Sequence, residues 1–320
     1  MKGYHNPLGT EMERYLELLE KAGRYVKGIR GLFRELEACI PCNVSKEEAL
    51  SDAILFDWDQ NLSCSPMTRK RKYSELSGFV GFLRSVGIAC HIPAIPKTPA
   101  STYAPYIFNE TEWDRIIQEA DNLATALKRT GTDMPVVFPM LIRLLYACGL
   151  RVSEALALKT ENMDFNQACL TIRKSKRRRQ RLVPMKESTS ELLLRYCTRK
   201  GLLSQPESYI FSCADGNPPS EKWVQRWFAV ALENSGISQT RQHPGERGIC
   251  PHCLRHTFVF RSFQASGDTF ENTVPFLSTY LGHENIMETD RYLRFSYELY
   301  SEAHEKISEY TEGLFPEVEA

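Results

Sequence analysis

Hydrophobic residues in the N-terminal third of the chain recur at every third or fourth position, which is the period of an amphipathic helix. The recurrence covers residues 15–33 and 46–58, and it returns from Ser65-Pro66 to Leu83. A serine followed by a proline is also a common start of a helix. This part of the chain is therefore predicted to form a small helical bundle.

Prolines end this helical pattern. Residues 93–107 contain four of them, and a proline inside a helix removes a backbone hydrogen bond and clashes with the preceding turn. The segment is therefore predicted to be a semi-extended linker. It would divide the chain into an N-terminal domain, residues 1–92, and a C-terminal domain, residues 108–320.

The helical period returns after the linker, where Asn109 is a candidate N-cap and glutamates occupy the first turn. Two short apolar runs, 170–172 and 182–184, flank a cationic stretch and predict a β-hairpin. The predicted fold class is thus mainly α, with a small antiparallel β-sheet or hairpin. The helices predicted in this domain span residues 110–128, 135–148, 151–158, 188–199, 220–234, 252–265, 272–281, 286–292 and 297–310.

The net charge of zero conceals a strong segregation of charge. Residues 173–181 contain seven cations, and Arg69–Lys72 form a second basic cluster. Residues 297–320 contain seven glutamates and one lysine. This distribution favours a basic working surface, as in nucleic-acid-binding proteins, and an acidic tail that lies elsewhere.

Composition excludes several other classes of protein. The chain has no apolar run long enough to span a membrane, and its start lacks the apolar segment of a secretory signal. The ten cysteines are scattered, unlike those of a small disulfide-stapled domain. We therefore expect reduced thiols and a cytoplasmic protein without a membrane partner.

Three short segments carry residues that could act together on a phosphate. Arg151 follows Gly149, Arg255 follows His252, and Tyr292 follows Gly282-His283. A planar guanidinium can bind two phosphate oxygens at once, which makes the two arginines candidate phosphate ligands. Arg151 is expected at the start of a helix, where backbone N–H groups also face an anion. Tyr292 could then be the nucleophile that attacks a DNA strand.

Taken in order, these segments resemble the catalytic signature of the tyrosine site-specific recombinases, the phage-integrase family. The matching phrases are Cys148-Gly-Leu-Arg-Val-Ser-Glu-Ala-Leu156, His252-Cys-Leu-Arg-His-Thr-Phe258 and Tyr280-Leu-Gly-His283, followed by Tyr292-Leu293. The resemblance covers about residues 106–295. It implies a catalytic domain preceded by a helical core-binding domain that clamps DNA. The N-terminal domain is similar to that module only in size, pattern and position.

The resemblance also implies a role for each catalytic residue. Tyr292 would form a 3′-phosphotyrosyl link, although its phenol, with a free pKa of about 10, needs help to ionise. Arg151 and Arg255 would hold the scissile phosphate, His252 would handle protons, and both His252 and His283 would contact phosphate oxygens. Lys176, eight residues before Pro184 as in the family's hairpin, would protonate the leaving 5′ oxygen, which becomes a hydroxyl.

The resemblance implies double-stranded DNA as the partner, and a homotetramer on that DNA with the C-terminal helix, residues 297–310, packed on a neighbouring protomer. It implies neither a cofactor nor a metal, and ATP is not needed because the phosphotyrosine keeps the bond energy. Integration or transposition of a mobile element is the favoured role, while resolvase and invertase roles stay open. The candidate DNA-contacting residues are Arg173, Lys174, Arg177, Arg178, Arg179, Arg181, Arg69, Lys70, Arg71 and Lys72.

Other interpretations remain open on the residues alone. Tyr292 could be a core residue of an amphipathic helix, and Arg151 could form a surface ion pair with Glu154. Cys250, His252 and Cys253 have the spacing of half a zinc site, but zinc would take His252 away from the phosphate. The alternative functions are a relaxation enzyme resembling type IB topoisomerases and a catalytically silent DNA-binding accessory protein.

Overall fold

The computed structural model describes residues 3–90, 93–97, 105–126, 134–173, 180–238, 248–265 and 270–282. The chain divides into two compact units, Met1–Thr102 and Tyr103–Ala320. Each unit has a hydrophobic core of its own. Among the described residues the secondary structure is mainly helical with one small antiparallel sheet, so the predicted fold class is confirmed.

Four helices make up the described part of the N-terminal unit: α1 (Gly9–Lys21), α2 (Lys27–Cys39), α3 (Asp52–Gln60) and α4 (Pro66–Ser85). Their apolar faces meet in a core where the ring centroids of Phe33 and Phe79 lie 4.6 Å apart. Helix α4 begins as predicted, because the Ser65 hydroxyl accepts the Thr68 N–H at 3.3 Å and Pro66 occupies the first turn.

Helix α3 begins later than its hydrophobic pattern predicts. Residues 46–50 lie in turns rather than in the helix. Ser45 and Glu48 exchange side-chain-to-backbone hydrogen bonds of 3.3 and 3.2 Å, which close a separate turn. Ser51 is then extended, with φ −63° and ψ 157°, before α3 starts. Local capping interactions therefore override the helical period in this stretch.

Helix α6 lies at the centre of the C-terminal unit and contacts both α5 and α10. Its side chains at Phe138, Leu141 and Leu145 are fully buried, as expected for a helix that is apolar on nearly all sides. The helices of this unit are α5 (Glu110–Ala126), α6 (Met134–Cys148), α7 (Val152–Leu156), α8 (Glu187–Arg199), α9 (Glu221–Asn234), α10 (His252–Gln264) and α11 (Phe270–Leu281).

The sheet contains β1 (Met163–Asp164), β2 (Cys169–Arg173) and β3 (Gln180–Pro184), paired antiparallel in that order. Strands β2 and β3 flank the basic stretch as predicted, with Leu170 opposite Val183. The sequence does not predict strand β1, because two residues are too few to show the alternation of a strand.

The helices predicted at 286–292 and 297–310 lie outside the described residues. Within the ranges that the structure describes, no helix is both long enough and apolar enough to cross a membrane.

Candidate active site

A glycine corner positions the first candidate arginine. Helix α6 ends at Cys148, and Gly149 has a φ of +58°, in the left-handed region that favours glycine. A Cβ atom at Gly149 would lie 2.5 Å from Cδ1 of Phe258, so any larger residue would also clash. The chain turns here and places Arg151 at the N-cap of α7, as the sequence predicts.

Glu154 joins Arg151 to the first turn of α7. Its Oε2 accepts the backbone N–H of Arg151 at 3.0 Å, and its Oε1 accepts Nη1 of the same residue at 3.0 Å. The ion pair that the sequence allowed is therefore present, but it is not an isolated surface pair. The carboxylate is nearly buried, whereas the Arg151 side chain stays 33% exposed and accessible to a ligand.

A second arginine holds the same carboxylate from the sheet. Arg181 on β3 donates from Nη1 and Nη2 to the two Glu154 oxygens at 2.9 and 2.8 Å. Burial alone would raise the pKa of Glu154. The hydrogen bond and charge of Arg181, followed by those of Arg151, outweigh that effect and lower the pKa to about 2. Glu154 is therefore an anion shared by two guanidinium groups.

Arg255, the second candidate phosphate ligand, meets this cluster from α10. Its Nη2 donates to the carbonyl oxygen of Leu281 at 3.0 Å, and Nη1 of Arg151 lies 3.5 Å from the same oxygen. Nη1 of Arg255 also donates to the Gly149 carbonyl at 2.7 Å and lies 3.9 Å from Glu154 Oε2. The Arg255 side chain is only 1% exposed.

The arginines thus gather around the C-terminal end of α11. Arg181 Nε donates to the Tyr280 carbonyl at 2.7 Å, one residue before the Leu281 carbonyl that Arg151 and Arg255 share. Cations stabilise this end of a helix, where carbonyl groups lack helical partners. Gly282 follows with a φ of +64°, and a Cβ there would lie 3.1 Å from Cδ and Nη1 of Arg181.

The N-terminal end of α10 carries the candidate His252. This side chain is exposed, and its ring lies edge-on to His256 with centroids 4.5 Å apart. The next residue, Cys253, is buried, and a side-chain hydrogen bond with Cys250 together with burial raises the pKa of its thiol. Within the described ranges, no group of three or more His, Cys, Asp or Glu side chains is arranged to hold a metal.

The predicted DNA-contacting cations differ in their surroundings. Arg173 at the end of β2 is exposed and pairs with Glu161 at 2.7 Å. On α4, Arg69, Arg71 and Lys72 pair with acidic residues at 3.3, 3.8 and 2.7 Å, and Lys70 is exposed. Arg181, at 10% exposure, is shielded to a similar degree as Lys72, at 14%, but it differs from the other described candidates because it faces the arginine cluster.

The structure therefore brings together Arg151 and Arg255 of the predicted catalytic set. Sequence reasoning missed Glu154 as the residue that joins them to Arg181, although its place three residues after the N-cap is a known capping signal. Predicted residues that lie outside the described ranges are Lys176, His283 and Tyr292 of the catalytic set, and Lys174, Arg177, Arg178 and Arg179 of the DNA-contacting set.

The chain is similar to known proteins over the region that contains these residues. The family model for the phage integrase family matches residues 108–298. Two integrase/recombinase homologues from Sinorhizobium fredii are similar to the chain. One, y4rB, is 33% identical over 210 residues, covering 63% of this chain and 65% of the relative. The other, y4rE, is 27% identical over 319 residues, covering 96% of this chain and 97% of the relative.

A solved structure of the Tn1549 transposon integrase in complex with transposon right-end DNA is similar in fold. The TM-score is 0.65 at 15% sequence identity, and the match covers 93% of this chain and 99% of that one. The tyrosine recombinase XerC of Chromobacterium violaceum is 26% identical over 310 residues, covering 92% of this chain and 94% of the relative.

Proposed function

Since the chain belongs to the phage integrase family, we propose that it is a site-specific DNA recombinase that breaks and rejoins strands through a 3′-phosphotyrosyl intermediate. One observation carries this proposal most strongly. Arg151 and Arg255, which lie far apart in the sequence, both direct donors at the Leu281 carbonyl, two residues before His283 in the chain. Two guanidinium groups at one point are suited to a phosphate that gains negative charge during reaction.

In the proposed reaction, the phenolate oxygen of Tyr292 attacks the scissile phosphorus and the bond to the 5′ oxygen breaks. Lys176 gives a proton to that oxygen, while Arg151 and Arg255 stabilise the charge on the non-bridging oxygens. His252 and His283 contact the same phosphate. A 5′-hydroxyl from another strand then attacks the phosphotyrosine, which restores the phosphodiester and frees Tyr292 without ATP.

The exposed end of α10 supports the role given to His252. A first-turn histidine three residues before Arg255 lies on the same side of the helix as that arginine. Arg255 is buried and His252 is exposed. One phosphate would therefore contact Arg255 on its protein-facing side and His252 on its solvent-facing side.

Covalent trapping on randomised DNA tests the proposal without a defined target sequence. The full chain is incubated with a library of randomised duplexes that carry single nicks, so that a cleaved end diffuses away and the adduct persists. After denaturation we expect protein-linked DNA with the wild type and none with Tyr292→Phe. Tyr209→Phe, in a loop paired with Lys159, is the matched control and should retain the adduct.

The recovered sequences would then separate recombination from relaxation. A recombinase should exchange strands between two duplexes that carry the trapped sequence. A relaxation enzyme would remove supercoils from plasmids without producing recombinants. An accessory DNA-binding protein would yield no adduct at all.

We also propose that residues 1–92 are the core-binding domain, joined by residues 93–107 to the catalytic domain at 108–320, and that both contact the duplex. Support comes from the separate core of the N-terminal unit and from its exposed cations on α4. Loss of DNA affinity on removal of residues 1–92, with the catalytic unit still folded, is the expected result. A DNA substrate and scattered cysteines both favour a cytoplasmic enzyme.

The proposed assembly is a homotetramer on DNA in which residues 297–310 pack on a neighbouring protomer. Truncation after Ser296 should leave binding of a single duplex intact but abolish the tetrameric complex and strand exchange. Intact assembly and exchange would dispose of this arrangement. Among the biological roles we favour integration of a mobile element, since two relatives are integrase/recombinases. Inverted repeats next to the gene that match the trapped sequence would support that role.

A further inference from the structure

The geometry points to Arg181 as a positioning residue of the cleavage centre rather than a contact to the DNA backbone, an inference that rests on the proposed function. Arg181 belongs by sequence to the basic stretch at 173–181. Its side chain is 10% exposed, whereas that of Arg173 on the paired strand is 55% exposed. Alternate residues of a strand face opposite sides of the sheet, and Arg181 shares the side of the buried Val183.

The Arg181 guanidinium connects three elements of the C-terminal unit. From β3 it donates two hydrogen bonds to Glu154 in α7 and one to the Tyr280 carbonyl in α11. The planar guanidinium of arginine can donate all three hydrogen bonds at once, whereas a lysine ammonium at this position would lose at least one of them. A Cβ atom at Gly282 would lie 3.1 Å from Cδ and Nη1 of Arg181, so the backbone at Gly282 passes close to this side chain.

Arg181 also affects how much of the positive charge of Arg151 is available to a bound phosphate. Three guanidinium groups and one carboxylate leave the cluster with two net positive charges. Without Arg181 the buried Glu154 would be neutralised mainly by Arg151, whose Nη1 already lies 3.0 Å from it. Arg151 would then be held on the carboxylate, and less of its charge would be available to the scissile phosphate. We therefore expect Arg181 to act through Arg151.

This role predicts a separation between DNA binding and cleavage. A side chain that contacts phosphate releases counterions, so its loss lowers the slope of log K against log salt concentration by about one. The Arg181 guanidinium donates to oxygens of Glu154 and Tyr280 within the protein, so its loss should leave that slope unchanged. The rate of adduct formation at saturating DNA should fall instead.

The test compares Arg181→Met and Arg181→Lys with the wild type in the full chain. Binding is measured with a linear duplex of random sequence over a range of salt, and cleavage with nicked duplexes carrying the trapped sequence. We expect the Met variant to cleave about 10²-fold more slowly, as when one preorganised charge is lost, and the Lys variant to be intermediate. Arg195→Met, on the 78% exposed Arg195 of α8, is the control and should match the wild type in both measurements.

A second substitution separates positioning from a merely structural role. In the double variant Arg181→Met with Glu154→Gln, the side-chain amide at position 154 still accepts a hydrogen bond from the Arg151 backbone N–H. It carries no negative charge, so it no longer attracts the Arg151 guanidinium. Cleavage should recover several-fold relative to Arg181→Met alone, even where both variants melt below the wild type. No recovery would overturn the proposed action through Arg151.

The outcomes also distinguish this inference from the proposed function. A salt slope lowered by about one in Arg181→Met, or wild-type cleavage by that variant, would show that Arg181 is not a positioning residue. If the wild type itself forms no adduct, the proposed function fails. In that case the salt dependence of binding still decides whether Arg181 contacts phosphate.

Discussion

The arginine cluster of the C-terminal unit and the basic cluster Arg69–Lys72 on α4 both pair cationic side chains with carboxylates at similar distances. In the first, Arg151, Arg181 and Arg255 surround the nearly buried Glu154. In the second, Arg69, Arg71 and Lys72 each pair with a separate acidic residue, and at least one side chain of each pair is more than a third exposed. Exposed pairs contribute little and exchange partners readily, whereas buried charges depend on every partner. The cluster can therefore hold a geometry, while the α4 stretch can adapt to a backbone of DNA phosphates.

Removing the buried arginine should have the largest effect on stability. Arg255→Met leaves the Gly149 and Leu281 carbonyls without these donors and leaves Glu154 with less compensation. We expect a loss of about 3–5 kcal/mol in the free energy of unfolding. Denaturation followed by tryptophan fluorescence reports on it, since three of the four tryptophans, Trp113, Trp223 and Trp227, belong to this unit. A change below about 1 kcal/mol would mean that the cluster is no more constrained than a surface pair.

The pH dependence of stability should differ in sign between the two regions. The pKa of Glu154 is lowered from 4.5 to about 2, so its contribution is present above pH 4.5 and is lost as pH falls toward 2. Its size is about 3 kcal/mol at neutral pH. The disadvantage of Glu154→Gln relative to the wild type should therefore shrink as pH falls below 5.

Glu75, the partner of Arg71 on α4, supplies the contrast. Burial raises the pKa of this carboxyl, so its ionisation opposes folding and Glu75→Gln should not destabilise the protein at neutral pH. Unfolding free energies of both variants between pH 3 and 7 give the check. Parallel profiles for Glu154→Gln and Glu75→Gln would contradict the difference between the regions.

The glycine corner should be the next most sensitive position. Gly149→Ala places a side chain at φ +58° and brings a Cβ within 2.5 Å of Phe258. Strain and overpacking together should destabilise the unit by roughly 2–3 kcal/mol. Gly81→Ala on α4 is the matched control, because nothing lies within 4 Å of its Cβ and φ is helical. It should stabilise α4 by about 0.5–1 kcal/mol, and equal effects at both glycines would be inconsistent with the corner's role.

The smallest effect on stability is expected on the α4 stretch itself. Arg71→Met should change the unfolding free energy by less than about 0.5 kcal/mol, since the Arg71 side chain is 64% exposed and its contact with Glu75 is 3.8 Å long. Its effect should be seen instead in DNA binding, where the salt slope should fall by about one. An unchanged slope would remove Arg71 from the set of DNA contacts.

The sequence predicts the two arginines that are candidates to bind the phosphate, but not the arginine that supports them. Arg151 and Arg255 can be predicted because each lies in a short phrase of fixed spacing, and the structure places both at the Leu281 carbonyl. The role of Arg181 cannot, because strand alternation is masked in a run of cations and burial depends on α11. The late start of α3 escapes prediction for a related reason, since the Ser45–Glu48 hydrogen bonds compete locally with a hydrophobic period that looks continuous.

The central claim is that the arginine cluster is the phosphate site of a DNA-cleaving enzyme, and Arg151→Met tests it most directly. The measurement is the single-turnover rate of covalent adduct formation at saturating DNA, with Arg195→Met as the matched control. We predict that Arg151→Met still binds DNA but forms the adduct at least about 10²-fold more slowly than the wild type. Adduct formation at the wild-type rate would contradict the claim.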